Sequence, residues 1–167
     1  MNNEKETQKT VLVTGGNGFI GTMVCKLLVG AGHNVINIDR SKKQQEGVTL
    51  YPFDINNNQL KGVIQLTQPD TIIHLALRYF NAAGADPENT HGYTQEPASH
   101  LIPIIANKIV KGEKLTVNGD DYPTPDGTVV RDYTHVFDIA TAHLVAMNYL
   151  DDGGVSTEVN IGAGNGQ

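Results

Sequence analysis

The stretch Thr14-Gly15-Gly16-Asn17-Gly18-Phe19-Ile20-Gly21 decides the fold of this 167-residue chain. Two glycine templates overlap in it, Gly16-x-Gly18-x-x-Gly21 and Gly15-x-x-Gly18-x-x-Gly21. Val11-Leu12-Val13 leads in as a β-rich run. Residues 19–31 follow with Ile20, Val24, Leu27 and Leu28 at helical spacing, and Gly32 as a left-handed stop. A strand, a glycine turn and a helix in that order form the context in which this pattern holds a dinucleotide. One glycine permits the tight turn, one lets backbone N–H groups approach a pyrophosphate, and one allows helix to pack closely on strand. The helix N-terminus adds partial positive charge toward the phosphates.

Outward from the turn, Asn34-Val35-Ile36-Asn37-Ile38-Asp39 reads as a second strand and residues 48–55 as a third. Residues 59–67 make a short amphipathic helix, and Thr71-Ile72-Ile73-His74-Leu75-Ala76-Leu77 a fourth strand. Such alternation predicts an α/β fold, a Rossmann-like doubly wound parallel sheet covered on both faces. Asp39 ends the second strand at the spacing where a carboxylate accepts a ribose hydroxyl and repels a 2′-phosphate, so NAD is expected over NADP. Arg40 is counted with the cofactor-binding residues, although its charge, with Lys42 and Lys43, works against that discrimination.

Beyond Asn81 the texture changes. Residues 82–97 are rich in Gly, Pro, Asp and Asn and read as a loop, and residues 101–110 as a helix. Lys114-Leu115-Thr116-Val117 is predicted as a short strand, residues 120–127 as a turn-rich loop, residues 137–150 as a helix, and Val159-Asn160-Ile161-Gly162 as a last strand. The expected division is a dinucleotide-binding half, 1–77, and a remainder, 78–167, forming one compact unit. A chain of this length buries about 70% of the surface it exposes unfolded.

The formal charge of −6, with both signs interleaved, argues against a nucleic-acid or anionic-membrane surface. Cys25 is the single cysteine, which excludes an intrachain disulfide and makes a reducing compartment the default. It lies in an apolar helical pattern and reads as a small buried hydrophobe. The polar start lacks the apolar core of a signal peptide, and no apolar stretch approaches the roughly 20 residues of a membrane span. A cytoplasmic protein is the expectation. No metal-ligating set is assigned.

Taken together, the motifs resemble the UDP-glucose 4-epimerases of the extended short-chain dehydrogenase/reductase superfamily. The resemblance runs from Val11 to Gly164 in two blocks. The first holds the glycine turn, Asp39, Phe53-Asp54-Ile55 and His74-Leu75-Ala76. The second holds Leu77-Arg78-Tyr79-Phe80-Asn81, Ala85-Asp86-Pro87 and His100-Leu101-Ile102-Pro103, then Gly119 through Val136, and Asn160 to Gly164. It implies Phe19 and Ile20 at the pyrophosphate beside Gly15, Gly18 and Gly21, and Asp54 and Ile55 at the adenine. Leu75, Ala76 and Phe80 are implied along the rest of the NAD. For the UDP-sugar it implies Asn81 at the diphosphate region, Leu101 and the strand Leu115, Thr116, Val117 and Asn118 flanking the uracil, and Arg131 as a fork of donors to the diphosphate. Several of these have a plainer reading, since Leu101 and Val117 suit the core of any such fold.

Epimerisation in that family oxidises the sugar at C4 by hydride transfer to NAD and returns the hydride to the other face. It needs a tyrosine four residues before a lysine, whose cation lowers the phenol's pKa from about 10 toward working pH. Here the positions four after Tyr51, Tyr79, Tyr93, Tyr122, Tyr133 and Tyr149 hold Ile55, Ala83, Pro97, Asp126, Phe137 and Gly153. None is lysine, so no catalytic residue is assigned. Tyr133, His100 and His135 are the substitute bases that can be named. The resemblance further implies that two β-α units are missing between the fourth strand and Arg78-Tyr79-Phe80-Asn81, and that residues closing over the sugar at the C-terminal end are missing too. The expected consequences are a long fused strand over residues 71–80 or a shift of the second block. Apolar surface on Ile72, Ile73, Leu75 and Leu77 would lose cover, and the family's homodimer would lose the helices that form its contact. Three readings stay open: a module that binds NAD and UDP-sugar without turnover, an epimerase completed by a partner chain, and a product without function.

Overall fold

The computed structural model describes residues 7–75, 81–86, 88, 92 and 97–162. Four parallel strands form the main sheet in the order β3-β2-β1-β4: β1 (Thr10–Thr14), β2 (Asn34–Ile38), β3 (Val48–Tyr51) and β4 (Thr71–His74). Helix α1 (Phe19–Gly30) joins β1 to β2, and α2 (Gln59–Thr67) joins β3 to β4. The register pairs Leu12 with Ile36 and with Ile72 across both neighbours of β1. Central parallel strands have both faces buried, which is why β1 reads as an unbroken apolar run.

Alternation along the strands sorts their side chains into two cores. Val11, Val13, Val35 and Ile73 pack with Met23, Val24, Cys25 and Leu28 of α1. Leu12, Ile36 and Ile38 pack with Val63 of α2 on the opposite face. Each such side chain contributes about 1.5–3 kcal/mol on burial. Gly32, at φ +87°, ends α1 with its N–H donated to the Val29 carbonyl, as the sequence predicts.

The second block begins with β5 (Ala82–Ala83), which pairs in parallel with β6 (Thr134–His135) as a separate two-stranded sheet. Helix α3 (Leu101–Lys111) lies between them in the chain, and α4 (Val136–Asp151) follows β6 directly. Val136, Ala140 and Met147 of α4 complete the core around α1. The Lys26 ammonium of α1 adds a tie to the second block, donating to Asp86 and Glu88 at 2.7 Å each. The Asp86 hydrogen bond is the main reason the Lys26 pKa is raised. Among the described residues no helix is long and apolar enough to cross a membrane.

Several expectations need correction. The third strand stops at Tyr51 rather than Ile55, because Phe53 turns back to donate its N–H to the Tyr51 carbonyl. Residues 114–117 and 159–162 form no strand. Leu115, Val117 and Val159 stand exposed, and no neighbouring strand among the described residues takes their backbone groups. The fourth strand ends at His74, with the Leu75 N–H still donated to the Thr14 carbonyl. Residues 76–80, where the long fused strand would continue, lie outside the described residues, as does Leu77. Ile73 keeps its cover because it belongs to the core that α4 completes, and Leu75 packs against that core. Only Ile72 of the described residues in this set is bare, at 50% exposure.

Candidate nucleotide-binding site

The glycine turn is fixed by its own backbone. Gly15, at φ +79°, donates its N–H to the Ile38 carbonyl at 2.9 Å and accepts from the Gly18 N–H at 3.1 Å. A Cβ on Gly21 would lie 2.1 Å from the Gly15 carbonyl oxygen and 2.7 Å from the Gly16 Cα, so α1 closes on the turn as only glycine allows. No side chain caps α1 and its first turn carries no acid, which leaves the positive end of the helix dipole facing outward.

A buried amide sets the turn's direction. Asn37, 1% exposed on the α1 face of β2, accepts the Gly16 N–H at 2.9 Å. The Asn17 N–H donates to one Asp39 carboxylate oxygen at 2.9 Å, and the Ser41 N–H to the other at 2.8 Å. Each carboxylate oxygen keeps a further lone pair for a ligand hydroxyl. Sequence reasoning singles out neither Asn37 nor Gln45, which donates to the Gly16 carbonyl at 2.8 Å. The one available signal is a polar residue at an inward position of a strand.

At the C-terminal ends of β1, β2 and β4 a cavity of about 320 Å³ is lined by Gly15, Asp39, Arg40, Asp54 and Ile55, with Thr14, Phe53 and His74. Ligands of open α/β sheets sit at this end of the strands. Thr14 Oγ1 and His74 Nδ1 are 2.6 Å apart in its wall. Ile20 and Leu75 pack against the core beneath, and a Cβ added at Gly15 would meet the Leu75 Cβ at 3.7 Å. Ala76 and Phe80 lie outside the described residues.

A second cavity, about 900 Å³, opens between the glycine turn and the second block. Asn81, Leu101, Leu115, Thr116, Val117, Asn118 and Arg131 all line it, and Phe19 of the turn reaches it from the other side. Its volume lies within the range of small-ligand sites, roughly 300–1,000 Å³. Asn81 takes a left-handed backbone, φ +45°, and joins two distant segments of the second block in this wall by donating Nδ2 to the Asp132 carbonyl and accepting the Thr134 N–H, each at 3.3 Å. Asp126 organises the adjoining loop by accepting from the Thr128 N–H and hydroxyl, which lowers its pKa. Ending α3, Gly112 at φ +66° and the Glu113 N–H close a left-handed cap on the Ile109 and Lys108 carbonyls.

Of the substitute bases, Tyr133 and His100 line this cavity. His135 is committed elsewhere: its Nδ1 accepts the Phe137 N–H at 3.1 Å and caps α4. Burial pushes the Cys25 thiol up to about 12, with the Asp39 charge adding to it, so it is an inert core residue. No group of three or more His, Cys, Asp and Glu among the described residues could hold a metal ion.

The model of the NAD dependent epimerase/dehydratase family matches the chain in two segments, residues 11–90 and 76–162. A UDP-glucose 4-epimerase of Streptococcus mutans is 53% identical over 92 residues, 54% of this chain and 27% of the relative. The matched part therefore spans about a quarter of that protein's length. A UDP-glucose 4-epimerase of Halalkalibacterium halodurans is 29% identical over 253 aligned positions, covering 93% of this chain and 76% of the relative. Those 253 positions exceed the chain's 167 residues by 86, so stretches of the relative face gaps here. Among solved structures, a UDP-glucose 4-epimerase from Brucella ovis in complex with NAD superposes with a TM-score of 0.84 at 25% identity, over 95% of this chain and 79% of that one.

Proposed function

The chain belongs to the NAD dependent epimerase/dehydratase family, and from that premise we propose that it binds NAD and the nucleotide half of a UDP-sugar without interconverting UDP-glucose and UDP-galactose by itself. The observation that carries this reading is one of placement. Seven residues expected at the UDP-sugar line one cavity, five expected at the cofactor line another, and Phe19 of the glycine turn reaches the first.

The residues fit NAD on physical grounds. The cradle has no room for a Cβ at Gly16 or Gly21. Asp39 faces the smaller cavity with its carboxylate held by two backbone N–H groups, able to accept the adenosine ribose hydroxyls. Ile55 and Phe53 offer an apolar wall to the adenine, and the α1 N-terminus offers its dipole to the pyrophosphate. When bound, NAD supplies a hydride acceptor. In the larger cavity Arg131 offers a planar fork of donors to a diphosphate, while Leu101, Leu115 and Val117 give the apolar surface a base requires.

Turnover needs a group to take the proton from the sugar's 4-hydroxyl, and none of the six tyrosines has the lysine that would make a phenol competent for it. The match in two segments and the excess of 86 aligned positions support an internal gap between the cofactor half and the sugar-nucleotide half. The test is a calorimetric titration with NAD, then UDP, beside a coupled assay for UDP-glucose formed from UDP-galactose. Saturable binding of both ligands with no conversion is expected. Conversion by the pure chain would overturn the claim of inactivity, and absence of saturable NAD binding at millimolar cofactor would overturn the whole reading.

A further inference from the structure

We infer that Asn17 is a positioning residue that clamps the loop after β2 and thereby sets the preference for an unphosphorylated adenosine ribose; the inference rests on the proposed NAD site. Asn17 uses every polar group of its amide. Nδ2 donates to the Ser41 carbonyl at 3.0 Å and the Lys43 carbonyl at 2.9 Å. Oδ1 accepts from Asn37 Nδ2 at 3.1 Å and Gln45 Nε2 at 2.6 Å. A primary amide has two N–H donors and two acceptor lone pairs, so nothing is left over. Turning the amide over would set its NH2 against two NH2 groups and its oxygen against two carbonyls. The orientation is therefore single-valued.

What the clamp holds is a loop carrying Arg40, Lys42 and Lys43, all exposed. A 2′-phosphate would bring close to two negative charges beside the Asp39 carboxylate, a repulsion only nearby cations could offset. Arg40 already lines the cavity, and Lys42 and Lys43 could add to it if their backbone moved toward the cavity. Their path is fixed because the Ser41 and Lys43 carbonyls are tied to Asn17. Gln45 closes the loop's far end on the same amide and on the Gly16 carbonyl. Cofactor discrimination thus comes from Asp39 together with the restraint that holds the backbone of Lys42 and Lys43 outside the cavity lining, leaving Arg40 as its one cation among the described residues.

The experiment compares Asn17→Ala and Gln45→Ala with the unaltered chain, measuring NAD and NADP affinities and amide hydrogen exchange over residues 40–46. Asn17→Ala keeps the backbone N–H that Asp39 accepts, so the carboxylate stays oriented. The ratio of NADP to NAD dissociation constants is expected to fall about tenfold in Asn17→Ala, the scale of one or two lost hydrogen bonds, and by less in Gln45→Ala. Loop exchange should accelerate in both. A residue that merely supports the turn would weaken both cofactors equally, so an unchanged ratio, or unchanged loop exchange, overturns the inference while NAD binding by the unaltered chain stands. If the unaltered chain binds neither cofactor, the inference falls with the reading beneath it.

Discussion

Replacing Gly21 by alanine tests the cradle most sharply, because the added methyl has nowhere to go. Its Cβ would stand 2.1 Å from the Gly15 carbonyl oxygen, 2.7 Å from the Gly16 Cα and 2.9 Å from the Gly15 carbonyl carbon. All three are backbone atoms of the glycine turn, so no side chain can rotate aside. Relief needs a shift of about 1 Å in helix or turn, and overpacking of this kind costs about 1–3 kcal/mol. In a domain near this size that corresponds to a Tm lower by about 2–12 °C. The same shift moves the N-terminus of α1, the end proposed to face the pyrophosphate, so NAD affinity should fall beyond what stability alone accounts for. Gly62 supplies the control. It sits inside α2 with nothing within 4 Å of the place an added methyl would take, and Gly62→Ala should raise stability by about 0.5–1 kcal/mol. Thermal unfolding and calorimetric NAD titration of both variants provide the readout. A Gly21→Ala chain with unaltered Tm and NAD affinity would refute the close approach of α1 to the turn.

Two further outcomes follow from the geometry. Because the Cys25 thiol is held neutral up to about 12 against an ordinary 9.0, the folded state binds the extra proton above pH 9. Its contribution is complete below the unfolded value and is lost as pH rises toward 12, at about 1.4 kcal/mol per pH unit. The sign is that of a raised pKa: the unfolded thiol ionises first, so each step in pH above 9 changes the balance between the two states. Denaturant titrations from pH 8 to 11 should show that decline in the unaltered chain and a shallower one in Cys25→Ala. Arg131→Ala should weaken UDP binding about tenfold or more, as loss of charge-assisted donors to a diphosphate does, with NAD affinity unaltered by calorimetry.

The run from β1 through β2 is legible because each element carries its own period and its own stop. Val11-Leu12-Val13 is apolar throughout because both faces are covered, and Gly32 takes the left-handed conformation its position asks for. Residues 114–117 carry the same β-favouring composition and stay out of any strand, since a strand is a pairing and the sequence does not say which neighbour is present. The cover of Ile73 escapes sequence reasoning for a related reason. α4 lies far along the chain, and its packing on α1 appears only in three dimensions. Within the proposed site, the glycines and Asp39 are the residues that spacing singles out. The convergence of Asn81, Leu101 and Arg131 is expected from family resemblance rather than from any local pattern. The amides of Asn37 and Gln45 are hidden because a lone polar residue in a strand, or in a polar loop, has no sequence signature of its partners.

The central claim is that a nucleotide-binding chain lacks the means to start hydride transfer. Its most direct measurement is a single-turnover mixture of the pure protein, NAD and UDP-glucose, followed by the near-ultraviolet absorbance of reduced nicotinamide. With both ligands saturating, no reduced cofactor should accumulate and no UDP-galactose should form. Appearance of either in an amount comparable to the protein would contradict the claim.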